Sequence, residues 1–375
     1  MNIWPVFSEE EQNAVLTVLK SGKVNYWTGH EGKLFEQEFA QYIGVKHAIA
    51  VANGTLALEL CLGTLKIGEG DEVIVTSRTF LASASVIINC GATPVFADVD
   101  LNSQNITVET IDAVKTEKTK AIITVHLAGW PCDMPEIMSY AKKNNLWVIE
   151  DCAQAHGAAI KGKKVGSFGD MAAFSFCQDK IMTTGGEGGM VTTNDPKWWR
   201  QAWSYKDHGK SYDLAHSKVP VSGFRWLHQS FGSNFRMTEM QAAIGRVQLR
   251  KVEGWLEKRQ KNAAAWRKYL SQLSYLRLPE PPLNYQHAYY KFYAFLKKES
   301  ELSRDALMDV FSCLSGTCSE VYLEACFNGH PSKPKQRLKN AKELGETSLM
   351  FLCDPTIDAD AIARSVQVKN KMEAK

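Results

Sequence analysis

The chain has 375 residues, 45% of them hydrophobic and 23% charged, with a formal net charge of +3. That length supports a sizeable core and more than one domain, and the composition is that of an ordinary soluble globular protein. So small a charge, with no basic stripe, argues against a nucleic-acid partner.

In chain order, Ser8–Leu19 reads as a helix, with a serine cap, a glutamate-rich first turn and apolar residues at helical spacing. Val24–Gly32 is a Gly- and aromatic-rich loop, and Gly32–Ile43 a second amphipathic helix. His47–Ala52 is a short strand, and Asn53-Gly54-Thr55 opens the helix after it. Glu72–Thr76 is a strand and Phe80–Cys90 a helix. Thr93–Asp98, Ala121–His126, Leu146–Glu150 and Met171–Phe176 continue the strands, with Val191–Thr193 one more after a glycine-rich loop. Apolar strands alternating with helices predict an α/β fold, a three-layer, mostly parallel sheet in a large domain. Met237 to Leu273 is long, polar and helical. Beyond it Tyr289–Leu296 reads as a strand, Arg304–Leu314 as a helix and Ile357 onward as a terminal helix, frayed at Asn370–Lys375. The division is therefore 1–250 for the large domain and 251–375 for a smaller α+β domain, with the N-terminal segment a candidate to pack on the latter.

Nine cysteines at irregular spacing, with no Cys-x-x-Cys pair, argue against a disulfide framework or a zinc site and suit a reducing cytoplasm. Met1–Glu10 lacks the basic start and apolar core of a secretory leader. No apolar run reaches membrane-spanning length, so no membrane partner is expected. The basic stretch Lys333–Lys342 reads as a solvated face.

Four clusters carry chemistry, each at a strand end, where ligands gather in such sheets. Asn53-Gly54-Thr55 is an anion seat at a helix N-terminus, or simply a helix cap. Asp151 follows an apolar strand and can hold a ring nitrogen protonated, with Gln154 donating to the same ring; the alternative is again a cap. Lys180 stands just past Phe174-Ser175-Phe176 and before Gly185-Gly186-Glu187-Gly188-Gly189, where a partly buried amine is nucleophilic toward an aldehyde. A phosphate loop of the Walker type is excluded, because no Lys-Ser/Thr follows the glycines at the required spacing. Finally, Asn234 and Arg236 precede the long helix, with Thr238 its nearer cap.

As a set, Asn-Gly-Thr-Leu-Ala-Leu at 53–58, Arg78-Thr79-Phe80, Val125-His126-Leu127-Ala128-Gly129, Glu150–Gly157, Ser175–Lys180 with Gly-Glu-Gly-Gly at 186–189, and Asn234–Thr238 resemble the sugar aminotransferases of the DegT/StrS type. The resemblance runs over nearly the whole chain, from Trp27-Thr28-Gly29 onward. It implies the aspartate-aminotransferase fold (fold type I) and pyridoxal 5'-phosphate as cofactor. Position by position, Lys180 matches the lysine that binds the cofactor's aldehyde and Asp151 the partner of its pyridine nitrogen. Gln154 lies against the ring, Phe80 stacks on its other face, and Gly54, Thr55 and Ser175 bind the phosphate. Asn234 reaches the phosphate of the neighbouring subunit's cofactor, which implies a homodimer with shared active sites.

The reaction implied is amino transfer, by analogy from L-glutamate, to a keto- or aldehydo-sugar in surface polysaccharide, lipopolysaccharide or amino-sugar biosynthesis. The acceptor is either a nucleotide-linked keto-sugar or an 8-oxo-3-deoxy-octulosonate. The latter carries a carboxylate and calls for a cationic pocket, with Arg225, Arg236 and Lys206 as candidates. The region Ser315–Glu324 shapes the sugar site in the family, which nominates Tyr322 and Glu324. Three positions depart from the pattern: one more glycine between Lys180 and Glu187, Cys177 where many members have His or Tyr, and His30-Glu31-Gly32 after the Thr28-Gly29 turn. Two alternatives stand beside transamination. Sugar dehydratases of the superfamily carry His where Lys180 stands, and a non-catalytic regulator of the same fold would lack the lysine or the aspartate.

Overall fold

The computed structural model describes residues 4–217 and 226–365. Arg225 and the expected frayed end Asn370–Lys375 lie outside them. A seven-stranded sheet forms the centre, in the order His47–Val51, Gly189–Thr193, Met171–Ser175, Trp147–Asp151, Thr119–Val125, Glu72–Thr76, Thr93–Ala97. Every pairing is parallel except those of Gly189–Thr193, which runs antiparallel to both neighbours. The expected mostly parallel sheet is present. The glycine turn at 185–186 reverses the chain directly into the one opposed strand, with Gly185 and Gly186 at φ +90° and +123°.

The strands are buried on both faces, which is why they read as continuous apolar runs rather than alternations. Val73, Val75, Ile123, Ile149, Ala173 and Val191 pack on one side with residues of the helices Gly54–Thr64, Ala82–Asn89 and Pro196–Lys206. The intervening Ala48, Ala50, Ala172, Phe174 and Met190 pack on the other side against Glu31–Ile43 and Glu239–Leu270. Ile74, Ile122 and Val148 pack there on Met134–Asn144. Each fully buried Val, Ile or Phe contributes roughly 1.5–3 kcal/mol of transfer free energy, so the two faces supply most of the driving force.

Caps set the boundaries. Ser8 with Glu11 starts Glu9–Ser21, and Thr238 with Gln241 starts Glu239–Leu270, each as a reciprocal capping box. The helix expected from Phe80 begins two residues later, at Ala82, which leaves Phe80 on the preceding turn. A second sheet, Leu276–Arg277, Lys291–Leu296 and Ser348–Leu352, has its own core around Trp266, Phe292 and Phe351. The division at 250 and 251 falls inside the 32-residue helix Glu239–Leu270, which joins both cores. The N-terminal helix Glu9–Ser21 docks on that helix. Glu11 accepts from Gln248 Nε2 at 3.0 Å and from Lys251 Nζ at 2.9 Å. No helix among the described residues is long and apolar enough to cross a membrane.

Candidate active site

The parallel strands end at one edge of the sheet, and a cavity of about 730 Å³ opens there. Gly54, Thr55, Phe80, Asp151, Gln154, Ser175 and Lys180 all line it. Residues separated by as many as 126 positions are thus gathered because each follows the carboxyl end of a strand.

Asp151 is the last residue of Trp147–Asp151 and is 5% exposed. Its Oδ2 accepts from Ser83 Oγ at 2.8 Å, and its Oδ1 from the Ala153 N–H at 3.1 Å. No helix follows it, so the capping alternative fails. Burial pushes its carboxyl above the usual range, and the Ser83 hydroxyl, the Ala153 N–H and the positive charge of Lys180 oppose that push. A buried carboxylate with two modest donors is poised to take a third, cationic one.

Lys180 follows a turn closed by its own N–H to the Cys177 carbonyl, at 3.1 Å. Trp4 Nε1 donates to the Lys180 carbonyl at 2.9 Å, so the N-terminal segment pins this backbone. The Lys180 amine is held loosely. It lies 3.5 Å from Asp179 Oδ1 and 5.2 Å from the centre of the Tyr290 ring.

The N-terminal end of the helix Gly54–Thr64 borders the same cavity. Asn53 caps Gly54–Thr64 by accepting from the Leu56 N–H at 2.9 Å, a geometry compatible with an anion at the same helix end. The cap leaves the first-turn N–H groups of Gly54 and Thr55 without intrahelical acceptors. Gly54 passes so close to Ser175 that an added Cβ would lie 2.6 Å from the Ser175 Cβ. The close approach puts the Ser175 hydroxyl at the same helix end. Gln154 is fixed by accepting from the Ala128 N–H at 2.8 Å, which leaves its NH₂ free to donate. That bond steadies Ala128 in a left-handed conformation, φ +57°. Phe80, 70% exposed, is a large aromatic on the cavity wall, available to a ring.

Other nominated residues lie elsewhere. Asn234 is exposed, accepts from the Arg236 N–H at 3.4 Å, and does not line the cavity of its own chain. Arg236 is spent on the buried Asp207, at 2.7 Å, which Lys210 and the Trp27 indole also bond. Lys206 is fully buried, 3.5 Å from Glu36 and 3.8 Å from the Tyr26 ring centre, and so supports the core. Tyr322 is buried against Phe96 with its hydroxyl on Glu320, and Glu324 is exposed between two short 3₁₀ turns. Arg236, Lys206 and Tyr322 are satisfied inside the protein, and neither they nor Glu324 line the cavity of this chain. Of the three departures, Cys177 lines the cavity, with Sγ 3.8 Å from Glu187 Oε1. The Thr28-Gly29 turn instead packs on Glu239, where a Gly29 Cβ would lie 2.1 Å from Oε2.

Sequence reasoning missed Ser83, Tyr290 and Lys291. Ser83 had a signal, three residues after Phe80 at helical spacing. Tyr290 and Lys291 had none, since they reach the cavity from the second sheet.

An amine able to bind an aldehyde, a buried acid able to face a ring nitrogen, and a helix end able to seat a phosphate match the donor set of pyridoxal phosphate. With the opposed strand in an otherwise parallel sheet, they define a pyridoxal-phosphate-dependent transferase of fold type I. The chain belongs to the DegT/DnrJ/EryC1/StrS aminotransferase family, whose sequence model matches residues 5–368, and it is an enzyme of that pyridoxal-phosphate-dependent family. It is similar to the UDP-N-acetyl-3-dehydro-alpha-D-glucosamine 3-aminotransferase of Acidithiobacillus ferrooxidans, 39% identical over 91% of this chain and 88% of that one. It is likewise similar to the GDP-perosamine synthase of Caulobacter vibrioides, 41% identical over 75% of this chain and 74% of that one. The X-ray structure of an aminotransferase from Psychrobacter cryohalolentis superimposes with a TM-score of 0.97, at 53% identity over 100% of this chain and 98% of that one.

Proposed function

We propose that the enzyme transfers the amino group of L-glutamate to a keto-sugar carried on a nucleotide. The observation that carries this reading is the joint presence of Lys180 and Asp151 on one cavity wall. The relatives' named nucleotide-linked sugars support the acceptor class.

Pyridoxal phosphate, when bound, supplies an aldehyde and an electron-withdrawing ring. Gly54, Thr55 and Ser175 would seat its phosphate, Phe80 and Gln154 would orient its ring, and the Asp151 carboxylate would hold a proton on the ring nitrogen. The Lys180 amine would hold the cofactor's aldehyde and, when free, would be the general base that lifts the proton from the donor α-carbon. The same amine returns a proton in the acceptor half of the cycle. Lys180 stands where dehydratases of the superfamily have histidine, which supports transamination over dehydration. Retention of both Lys180 and Asp151 weighs against a purely regulatory role.

A second acceptor, the 8-oxo-3-deoxy-octulosonate, gains support from one observation, a second lysine on the cavity wall, Lys291. We also propose a cytoplasmic homodimer in which Asn234 completes the partner's phosphate seat. Its exposure outside its own cavity, beside the 99% exposed Phe231, supports that arrangement.

A panel of nucleotide-linked and free keto-sugars, assayed with L-glutamate for 2-oxoglutarate release, tests the reading. Amine incorporation into a nucleotide-linked sugar is expected. Sugar turnover without amine incorporation would reverse it in favour of dehydration.

A further inference from the structure

Two ammonium groups line the cavity, Lys180 and Lys291. Lys291 opens the strand Lys291–Leu296 of the second sheet, so a different part of the fold delivers it. Its Nζ lies 4.7 Å from the centre of the Tyr290 ring, and the Nζ of Lys180 lies 5.2 Å from the same centre. Tyr290 is fixed between them, because its hydroxyl donates to Asp179.

The two lysines differ in their pairing. Lys180 has Asp179 at 3.5 Å. The ammonium of the half-buried Lys291 has the Tyr290 ring beside it but makes no hydrogen bond or ion pair with another described residue. Burial pushes its ammonium below the usual lysine range, and the field of Asp179 partly offsets this. A half-buried cation without a partner is costly, and an anion from solution relieves the cost.

The chemistry of the cavity narrows what that anion is. The phosphate seat is already built from the N-terminus of Gly54–Thr64 and Ser175, on the first sheet's edge. Asp151, Asp179 and Glu187 all line the cavity and would repel a carboxylate that had no cation of its own. An amino-acid donor must nevertheless bring a carboxylate within a few bonds of the amine that displaces Lys180. We propose that Lys291 is a specificity-determining residue that receives a carboxylate of the substrate, a proposal that rests on the aminotransferase reading above. The carboxylate comes from the amino donor or from an acidic acceptor sugar. An ammonium suits either, as a compact point charge on a flexible stem.

The test uses the holoenzyme and follows each half-reaction by cofactor absorbance. Lys291→Gln keeps an unbranched polar side chain one atom shorter and removes the charge; Lys291→Arg restores it. For Lys291→Gln the KM for L-glutamate should rise about ten- to a hundredfold, the loss expected for one charged hydrogen bond. Lys291→Arg should recover most of that loss. Reaction with n-butylamine, which has no carboxylate, should change by less than about twofold. Binding of glutarate, measured by calorimetry, should weaken by the same factor as L-glutamate and gives a readout independent of turnover. Unchanged donor constants with a raised KM for an acidic keto-sugar would assign the carboxylate to the acceptor and uphold the proposal. It is overturned by unchanged constants in both half-reactions, by equal losses with n-butylamine, or by a loss of pyridoxal-phosphate affinity that accounts for the effect. A wild-type enzyme that reacts with L-glutamate but aminates no sugar would refute the sugar reading and leave this one standing.

Discussion

Gly54→Ala isolates the close approach between Gly54 and Ser175, two residues proposed to seat the phosphate. Gly54 begins the helix Gly54–Thr64, and its φ is not in the left-handed region, so alanine suits its backbone. Alanine in a helix ordinarily stabilises by about 0.4–1 kcal/mol relative to glycine. Here the added Cβ would lie 2.6 Å from the Ser175 Cβ and 3.1 Å from its Cα, well inside the 3.4 Å at which ordinary contact begins. The obstacle is backbone and the first side-chain atom, neither of which swings aside. The helix start and the strand end must therefore separate. Overpacking of this kind costs about 1–3 kcal/mol, which exceeds the propensity gain. The strain falls on both lips of the seat, so part appears as lost apo-protein stability and part as weaker cofactor binding. About 1–2 kcal/mol net corresponds to a factor of about 5–30 in Kd if it falls wholly on binding. Gly63→Ala is the control, since nothing lies within 4 Å of its Cβ in the same helix. It should stabilise by about 0.4–1 kcal/mol and leave the Kd alone. The assay is titration of apo-protein with pyridoxal phosphate by absorbance, paired with apo-protein melting. If Gly54→Ala matched Gly63→Ala in both, the close approach would have no part in holding the cofactor.

Three further outcomes follow from the same geometry. Lys180→Ala should lose the absorbance band of the covalently held cofactor and lower kcat by at least about a thousandfold, because both the anchor and the general base go. Steady-state assays and spectra check this. Asp151→Asn should lower kcat by about a hundredfold or more while raising the apo-protein's melting temperature at pH 7. The sign follows from burial raising the folded pKa of Asp151 above its usual 3.8. The folded apo-protein then binds the proton more tightly than the unfolded chain does, so stability falls as pH rises through that window, and the variant should lose this slope. Glu150→Gln should destabilise by about 3 kcal/mol, measured by denaturant unfolding. Glu150 accepts from the N–H groups of Gly166, Phe168 and Gly169 and from His126. Burial pushes its carboxyl up, but His126 and those N–H groups outweigh it and hold it below the usual 4.5. Its stabilisation is present above about 4.5 and fades as pH falls through the depressed value, a loss that Gln should abolish.

Most of the fold and the gathering of the cavity-lining residues were legible in the sequence, for one physical reason. A strand buried on both faces is written as an apolar run, and whatever follows it is placed at the sheet's edge. Asp151, Lys180, Gly54 and Ser175 each stand at such a junction and all four line the cavity, while their individual roles come from the family resemblance rather than from the local pattern. The two cationic candidates show where that logic stops. Arg236 and Lys206 sit near Asn234 and look like free cations, yet Asp207 and Glu36 neutralise them inside the protein. Ion pairing between distant segments leaves no periodic trace. Ser348–Leu352 was passed over because it follows Lys339–Thr347 without a turn signal, and its partner strand lies more than fifty positions earlier.

The substrate side of the cavity is hidden for a related reason, and this bears on how the family varies its acceptors. Tyr290 and Lys291 come from the second sheet, and Gly316 and Thr317 from the loop that follows the helix Arg304–Phe311. None stands at an end of the central sheet's strands. Lys291 and Thr317 lie away from the junctions that carry Gly54, Asp151 and Ser175, whereas Tyr290 bonds Asp179 and Gly316, at φ +94°, packs on Tyr293. The cofactor half, by contrast, is tied to the core: Asp151 continues a core strand, Gly54 touches Ser175, and Gln154 holds Ala128. A substitution there costs folding as well as chemistry. Substrate specificity in this enzyme should therefore respond to changes at Lys291 and Thr317, with little loss of stability or of cofactor affinity.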